Sequence, residues 1–315
     1  GNIVPVYPLT NDLKIKGVEQ RMLRTLIKEA LSCIDQVYEI IPKDVLKKHS
    51  LISLKLALTY IHFSDGIEKL NSAKNRLKFD EHFFLQLLLA LKKTSIRLSK
   101  SKRLIDIGPY FRPISETLDF ELTRSQKNVI QDIHADFRND YPMNRLIQGD
   151  VGSGKTIVAI LVTALAVGNN VQVAIMVPTE VLARQHYDSF KLQLDKANIR
   201  CELILGNMKK NERSNILAGL EDGSISVVIG THALIQKDVL FNNLGLVVID
   251  EQHRFGVNQR ANLIDKGKSP HCLAMTATPI PRTLSITYYG DMDISIIDEL
   301  PLNRIPVVTR VVEPD

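Results

Sequence analysis

Gly149-Asp150-Val151-Gly152-Ser153-Gly154-Lys155-Thr156 decides the fold class of this chain. It fits the pattern G-x-x-x-x-G-K-[ST], and its flanks are those the pattern requires. The apolar run ending at Ile147 supplies a strand before it. Ile157 to Val167, rich in Ala, Val, Ile and Leu, supplies a helix after it. Glycines let backbone N–H groups curl around phosphates with no side chain in the way. The helix amino terminus adds the positive end of its dipole. In this loop Lys155 is expected to reach the β- and γ-phosphates, and the Thr156 hydroxyl to ligate Mg²⁺. A glycine turn preceding a helix by chance does not bring strand and helix into register with it. The segment implies a nucleoside triphosphate site.

Downstream and upstream of the loop the same rhythm continues. Short apolar runs, each followed by turn residues and a helical stretch, occur at Leu146–Ile147, Val171–Val177, Leu203–Leu205, Val227–Ile229, Leu244–Ile249 and Leu273–Met275. Strands alternating with helices predict a largely parallel sheet covered on both faces. Sites in such sheets form at the carboxyl ends of the strands. Leu244 to Ile249 ends at Asp250-Glu251-Gln252-His253, which puts carboxylates beside the phosphate loop. Asp250 is expected to hold the metal, and Glu251 to accept a proton from an attacking water.

Before residue 120 the periodicity is helical. Met22, Leu23, Leu26, Ile27 and Ala30 recur at three- and four-residue spacings within Val18 to Ile34. Further helices are expected near Val45 and Leu46, from Leu51 to Ile61, and from Ile67 to Leu98. The last is expected to carry Leu70, Leu77, Phe84, Leu88 and Leu91 on one face. Lys69, Lys74, Arg76 and Lys78 lie on the basic face, which is either solvated or in contact with duplex DNA. The Ser/Lys-rich stretch from Ser99, followed by Gly108, Pro109 and Pro113, reads as a connector. The expected division is 1–115 and 116–315.

The net charge is +5. Residues 1–120 carry 20 basic and 13 acidic side chains, and residues 121–315 carry 20 and 22. Such an excess suits a polyanionic partner, and a solvated helix surface equally. No stretch approaches the length of a membrane span, and Asn2 to Thr10 lacks the layout of a signal peptide. Cys33, Cys201 and Cys272 lie far apart, in no metal-ligand spacing, as expected of reduced thiols in a cytoplasmic protein.

Asp-Glu-x-His is the second motif of superfamily-2 helicases, and other motifs of that set stand in order along the chain. Leu122-Thr123-Arg124-Ser125-Gln126 resembles the adenine-reading element, with Gln126 on the base. Pro178-Thr179-Glu180 and Gly230-Thr231-His232 resemble the elements that touch the nucleic-acid backbone. Thr276-Ala277-Thr278-Pro279 resembles the motif that couples hydrolysis to movement. Three extended runs, Gly149–Thr156, Asp250–Val257 and Thr276–Thr283, are similar to the RecG family. So are Gly230–Ile235 and Ile297–Pro301, and, in the helical part, Val6–Thr10, Ile61–Phe63 and Ala73–Glu81. The transcription-repair coupling translocase shares the loop but normally has Glu where this chain has Gln252 and Gln where it has His253. The restart helicase PriA shares less.

The resemblance to RecG implies an α/β fold: a RecA-like P-loop lobe preceded by an all-helical segment. It implies ATP and Mg²⁺ as cofactors and branched or forked DNA as partner, with hydrolysis driving translocation in recombination and repair. Lys155, Asp250, Glu251 and His253 would act in hydrolysis, and Gln126 with Gly149 through Thr156 would bind ATP. Pro178, Thr179, Gly230, Thr231 and His232 would meet DNA. Arg254, Phe255, Thr276 and Thr278 would couple the two, although a packed Phe255 and a solvated Arg254 also fit. Arg282 either contacts DNA or caps a helix. RecG has a second motor lobe and a DNA-wedge domain, neither recognisable here, so the chain is expected to be part of a longer, cytoplasmic, monomeric bacterial protein. Two further readings are an ATP-switched binding module without motor activity and an RNA-directed helicase, against which the missing D-E-A-D spelling argues.

Overall fold

The computed structural model describes residues 3–278 and 290–299, apart from the side chains of His253 and Val257. Pro279 and Arg282 lie outside the described residues, as does the Leu300–Pro301 end of the last similar run. The chain divides into two compact units, Gly1–Leu89 and Ala90–Asp315.

The first unit is helical. Its elements are α1 (Asn11–Ile15), α2 (Gln20–Ser32), α3 (Lys43–Lys48), α4 (Leu54–His62) and most of α5 (Ile67–Leu98). Ser53 caps α4 by accepting from Leu56 N. The face expected to be buried on α5 is only partly so: Phe84, Leu88 and Leu91 are exposed, and the buried residues of α5 are Ala73 and Arg76. Arg76 therefore leaves the basic face on which the sequence placed it. Its guanidinium meets Glu39 Oε1 at 2.6 Å, Glu39 Oε2 at 3.0 Å, Asp80 Oδ1 at 2.8 Å and the Ile52 carbonyl at 2.6 Å. A buried guanidinium is tolerated because those acceptors satisfy its donors. Lys69, Lys74 and Lys78 stay exposed.

The second unit opens with the end of α5, then α6 (Phe111–Glu116) and α7 (Arg124–Phe137). Its sheet contains β1 (Asn144–Gly149), β2 (Gln172–Met176), β3 (Cys201–Ile204), β4 (Val227–Gly230), β5 (Leu244–Ile249), β6 (His271–Thr276) and β7 (Asp293–Ile297). Between them run α8 (Lys155–Gly168), α9 (Glu180–Leu194), α10 (Lys210–Glu221) and α11 (Val257–Ile264). The strand order is β3-β4-β2-β5-β6-β1-β7, and each pairing is parallel. Six strands are those expected. The seventh, β7, was not anticipated, because Asp293-Ile294-Ser295-Ile296-Ile297 alternates polar and apolar, half-buried at a sheet edge.

Alternation sorts the side chains between two faces. Val173, Ile175, Leu246, Val248, Leu273 and Met275 face one cluster, with α7, α8 and α9. Ala174, Met176, Val228, Val247, Ile249 and Cys272 face the other, with α10 and α11. Helix α8 is buried on every side from Ile157 to Val167, which explains its uninterrupted apolar sequence.

The connector of residues 99–113 is clasped to this unit. Leu104 is fully buried, and its N–H donates to the Phe137 carbonyl at 2.8 Å. His271 at the head of β6 accepts from Met143 N through Nδ1 at 3.0 Å and donates through Nε2 to the Lys102 carbonyl at 2.9 Å. Gly108 has φ +71°, and a Cβ there would meet Gly168 Cα at 2.8 Å. The expected division at 115 thus falls inside the second compact unit.

Candidate ATP site and nucleic-acid edge

Strand β1 delivers the phosphate loop at its carboxyl end, and α8 leaves it. Gly152 and Gly154 have φ +81° and +86°, the left-handed region that favours glycine. A Cβ on Gly149 would meet Ser153 Oγ at 2.6 Å and the Ile297 carbonyl at 3.0 Å. Glycine at these positions lets the loop turn tightly where a side chain would collide with it. Ser153 Oγ is buried with no hydrogen-bond partner in the structure, a polar atom available to a ligand in the loop. Lys155 Nζ donates to the Gly149 and Asp150 carbonyls at 2.7 and 2.9 Å, lying across the loop. Burial lowers the pKa of Lys155, while Asp250, Glu251 and Asp150 act to raise it.

Two strands across, β5 ends at Asp250. Between β1 and β5 lies β6, so Thr276 stands between the loop and the acidic box, and the register pairs Gln148 with Thr276. Asp250 Oδ1 accepts from Glu251 N at 3.0 Å, and Oδ2 meets His186 Nε2 at 2.8 Å. Glu251 adopts φ +50°, rare for a side-chain-bearing residue and frequent at functional turns. Gln252 is buried, and Arg254 is exposed. Phe255 packs against the α10–α11 cluster. Thr276 is buried and meets Thr278 Oγ1 at 2.9 Å. The backbone of His253 lies in the short 3-10 helix Gln252–Arg254.

Gln126 is 1% exposed. Its Oε1 accepts from Thr123 N at 2.9 Å, closing a capping box at the start of α7, and its Nε2 donates to the Ser153 carbonyl at 2.8 Å. It joins the helix to the phosphate loop. Beside it opens a cavity of about 570 Å³ lined by Phe120, Glu121, Thr156, Ile157, Ile160, Leu192 and others, apolar for the most part. Glu299 Oε2 accepts from Ser125 N at 3.0 Å, and that bond holds its carboxyl below the usual range.

Thr179 and His232, expected at DNA, are exposed after β2 and β4, and Pro178 is half-buried. Thr231 is buried, its hydroxyl without a partner in the structure. Gly230 admits no side chain, since a Cβ would meet the Ile204 carbonyl at 2.5 Å.

Sequence reading missed His186, the partner of Asp250. A signal was available: Ala183, His186, Phe190 and Leu194 form the buried stripe of α9, and a histidine on such a stripe needs a polar partner. The cavity beside Gln126 had no linear signal.

Residues 123–286, over half of the chain, match the sequence model of the DEAD/DEAH box helicases. The chain belongs to the DEAD/DEAH box helicase family. Membership implies an ATP site with a divalent metal. Across nearly its whole length the chain is also similar to RecG proteins. The ATP-dependent DNA helicase RecG of Synechocystis sp. is 44% identical over 313 residues, covering 99% of this chain and 37% of that protein. RecG of Aquifex aeolicus is 42% identical over 323 residues, covering 98% of this chain and 41% of that protein. A solved structure of RecG bound to a three-way DNA junction superposes with a TM-score of 0.78 at 39% identity, over 96% of this chain and 40% of that one. This chain spans less than half the length of these relatives. Among the described residues no helix is long and apolar enough to cross a membrane.

Proposed function

We propose that this chain is the ATP-binding lobe of a DNA motor that couples ATP hydrolysis to remodelling of branched DNA, such as stalled forks and Holliday junctions. The observation that carries the reading is the convergence of phosphate loop, acidic box and Thr276 at the carboxyl ends of β1, β5 and β6. Similarity to RecG over the whole chain supplies the substrate class. We read the remainder of such proteins as the source of a second motor lobe and a branch-engaging domain, acting as a monomer in the bacterial cytoplasm. Residues 116–315 form the lobe in this reading, and 1–115 the helical segment that precedes it.

In this reading Gly149 through Thr156 bind the triphosphate, with Lys155 on the β- and γ-phosphates and Ser153 Oγ as a further donor. Gln126 holds the base at the apolar cavity. Thr156 and Asp250 hold Mg²⁺, which when bound neutralises phosphate charge and fixes the phosphates in line. Among the described residues no cluster of three or more His, Cys, Asp and Glu side chains forms a metal cage. Mg²⁺ needs none, because it keeps several waters and takes one or two protein ligands with phosphate oxygens. Glu251 accepts the proton of the attacking water, and His253 lies beside it in the chain. Pro178, Thr179, Gly230, Thr231 and His232 form the DNA edge; Arg254, Phe255, Thr276 and Thr278 carry the change at the phosphates to it.

The test is ATP binding and turnover by this chain, with and without forked DNA. ATP with Mg²⁺ is expected to bind, and Lys155→Ala to weaken it by about 10- to 100-fold, the worth of charge-assisted hydrogen bonds. Turnover is expected to stay low, since arginines from a second lobe contribute roughly 10³ to 10⁵ in related motors. Failure to bind ATP refutes the reading. Rapid DNA-stimulated turnover that Lys155→Ala abolishes would show the site complete within this chain.

A further inference from the structure

Asp250 is pinned at both oxygens, from two different elements. The Glu251 N–H holds Oδ1 at 3.0 Å from the adjoining turn. His186 holds Oδ2 at 2.8 Å from the middle of α9, 64 residues away in sequence. Both side chains are largely withdrawn from water, at 8% and 13% exposure. His186 Nδ1 is buried and has no hydrogen-bond partner in the structure. The imidazole therefore makes one polar contact through its ring nitrogens, and that contact is the carboxylate. An imidazole buried for packing alone would gain nothing from leaving Nδ1 unsatisfied, since an apolar side chain of similar size fills the stripe of Ala183, Phe190 and Leu194 without that cost.

A carboxylate has about four acceptor directions. Two are used by these donors, and two remain for a metal or its waters. Lys155 lies within electrostatic range of Asp250. A carboxylate free to rotate could turn to that cation; one fixed at both oxygens cannot.

We propose that His186 is a positioning residue for Asp250, fixing through its Nε2–H the orientation in which that carboxylate holds the divalent metal of the bound nucleotide. The inference rests on the reading of Asp250 as a metal residue. Side chains that orient metal-holding groups contribute about 10- to 100-fold in metal affinity.

The experiment is a Mg²⁺ titration of the binding of a fluorescent ATP analogue to this chain, read by anisotropy, with a second measurement in EDTA. His186→Phe keeps a ring in the stripe and removes the donor. It is expected to raise the half-saturating Mg²⁺ concentration about 10-fold or more and to leave binding in EDTA unchanged. His186→Gln, which restores an N–H near the position of Nε2, is expected to recover most of the loss. Should His186→Phe not fold, as judged by its melting curve, His186→Asn takes its place with the same expectation, its amide being too short to reach. An unchanged Mg²⁺ midpoint in the donor-less variant overturns the inference, and so does a glutamine variant as impaired as the phenylalanine one. Asp250→Asn separates the two claims. If it shifts the midpoint while His186→Phe does not, only the role of His186 falls. If Asp250→Asn shifts nothing, the metal reading of Asp250 falls, and the inference with it.

Discussion

The two compact units solve the same problem with different materials. Among described residues 3–89, the buried hydrophobic side chains are Ile41, Ala57 and Ala73, while the second unit buries whole faces of a seven-stranded sheet and a helix apolar on every side. The helical unit relies instead on Arg76 and its four acceptors, and leaves Met22, Leu26, Tyr38 and Ile40 exposed. A core of packed methyl groups tolerates the loss of one contact, because burial is spread over many residues. A single buried cation does not, since removing any partner leaves an uncompensated charge or acceptor. The difference predicts where each unit fails.

The largest effect is expected from Arg76→Ala. Breaking a buried ion pair by deleting one partner costs about 3 to 5 kcal/mol. Amide exchange in α3, α4 and the first half of α5 should accelerate by roughly two to four orders of magnitude, the factor that energy implies. Exchange in β2 and β5 should not change. Equal acceleration in both units would mean that the buried cation does not belong to the helical unit's stability alone, and the contrast would fail.

Acid should act next, on both units near pH 6 and on the Arg76 clamp of the helical unit below pH 4.5. The Arg76 hydrogen bonds, chiefly, hold the Glu39 carboxyl down at about 2, below its ordinary value of 4.5. A lowered carboxylate pKa gives stability that is full above 4.5 and is lost as pH falls towards 2. His271 in the second unit has its pKa lowered by burial, so the folded state keeps it neutral while the unfolded chain takes up a proton near 6.5. Its effect is full stability above 6.5 and progressive loss below. Each group changes stability by at most about 1.4 kcal/mol per pH unit. Acid between pH 7 and 5 should therefore weaken the sheet through His271 and the helical unit through His62 of α4, whose pKa burial also lowers. His271→Gln should flatten that slope in the sheet. The Arg76 clamp should begin to weaken only below pH 4.5.

What could be read from the sequence follows the same division. The phosphate loop and the acidic box were legible because their chemistry needs contiguous residues, and six strands were legible because burial on both sheet faces writes continuous apolar runs. Strand β7 escaped because it is a short edge strand in which Ile294 and Ile296 are exposed and the polar Ser295 is buried, so no continuous apolar run marks it. His186 escaped because its meaning lies in a partner 64 residues on. Arg76 is expected on a basic face, solvated or against duplex DNA, because helical periodicity counts charge as exposed. Its burial is made tolerable by Asp80 together with two distant groups, Glu39, 37 residues earlier, and the Ile52 carbonyl. The connector of residues 99–113 has the composition of a linker, yet Leu104 and the Lys102 carbonyl are taken into the second unit. Local sequence records which surfaces must be buried; it does not record which distant group will meet them.

The smallest effect is the most discriminating, because it compares the same chemistry in both units. Ser53 caps α4 by accepting from Leu56 N at 3.4 Å, and Thr123 caps α7 by accepting from Gln126 N at 3.2 Å. Replacing either with Ala should cost about 1 kcal/mol, the usual worth of an N-cap. The consequences should differ. Among the described residues Ser53 is bonded only to its own helix turn, so Ser53→Ala should lower stability and leave ATP binding unchanged. Thr123 shares its cap with Gln126, whose amide also donates to the Ser153 carbonyl of the phosphate loop. Loosening that cap frees the side chain that joins α7 to the loop, so Thr123→Ala should also weaken ATP binding, by a few-fold, measured by titration calorimetry. If both variants lose stability and neither loses affinity, the capping box is structural only, and Gln126 does not carry the state of α7 to the nucleotide. If Ser53→Ala weakens ATP binding as much as Thr123→Ala does, the helical unit is part of the site, and the contrast between a unit that holds itself together and a unit that holds a ligand is wrong.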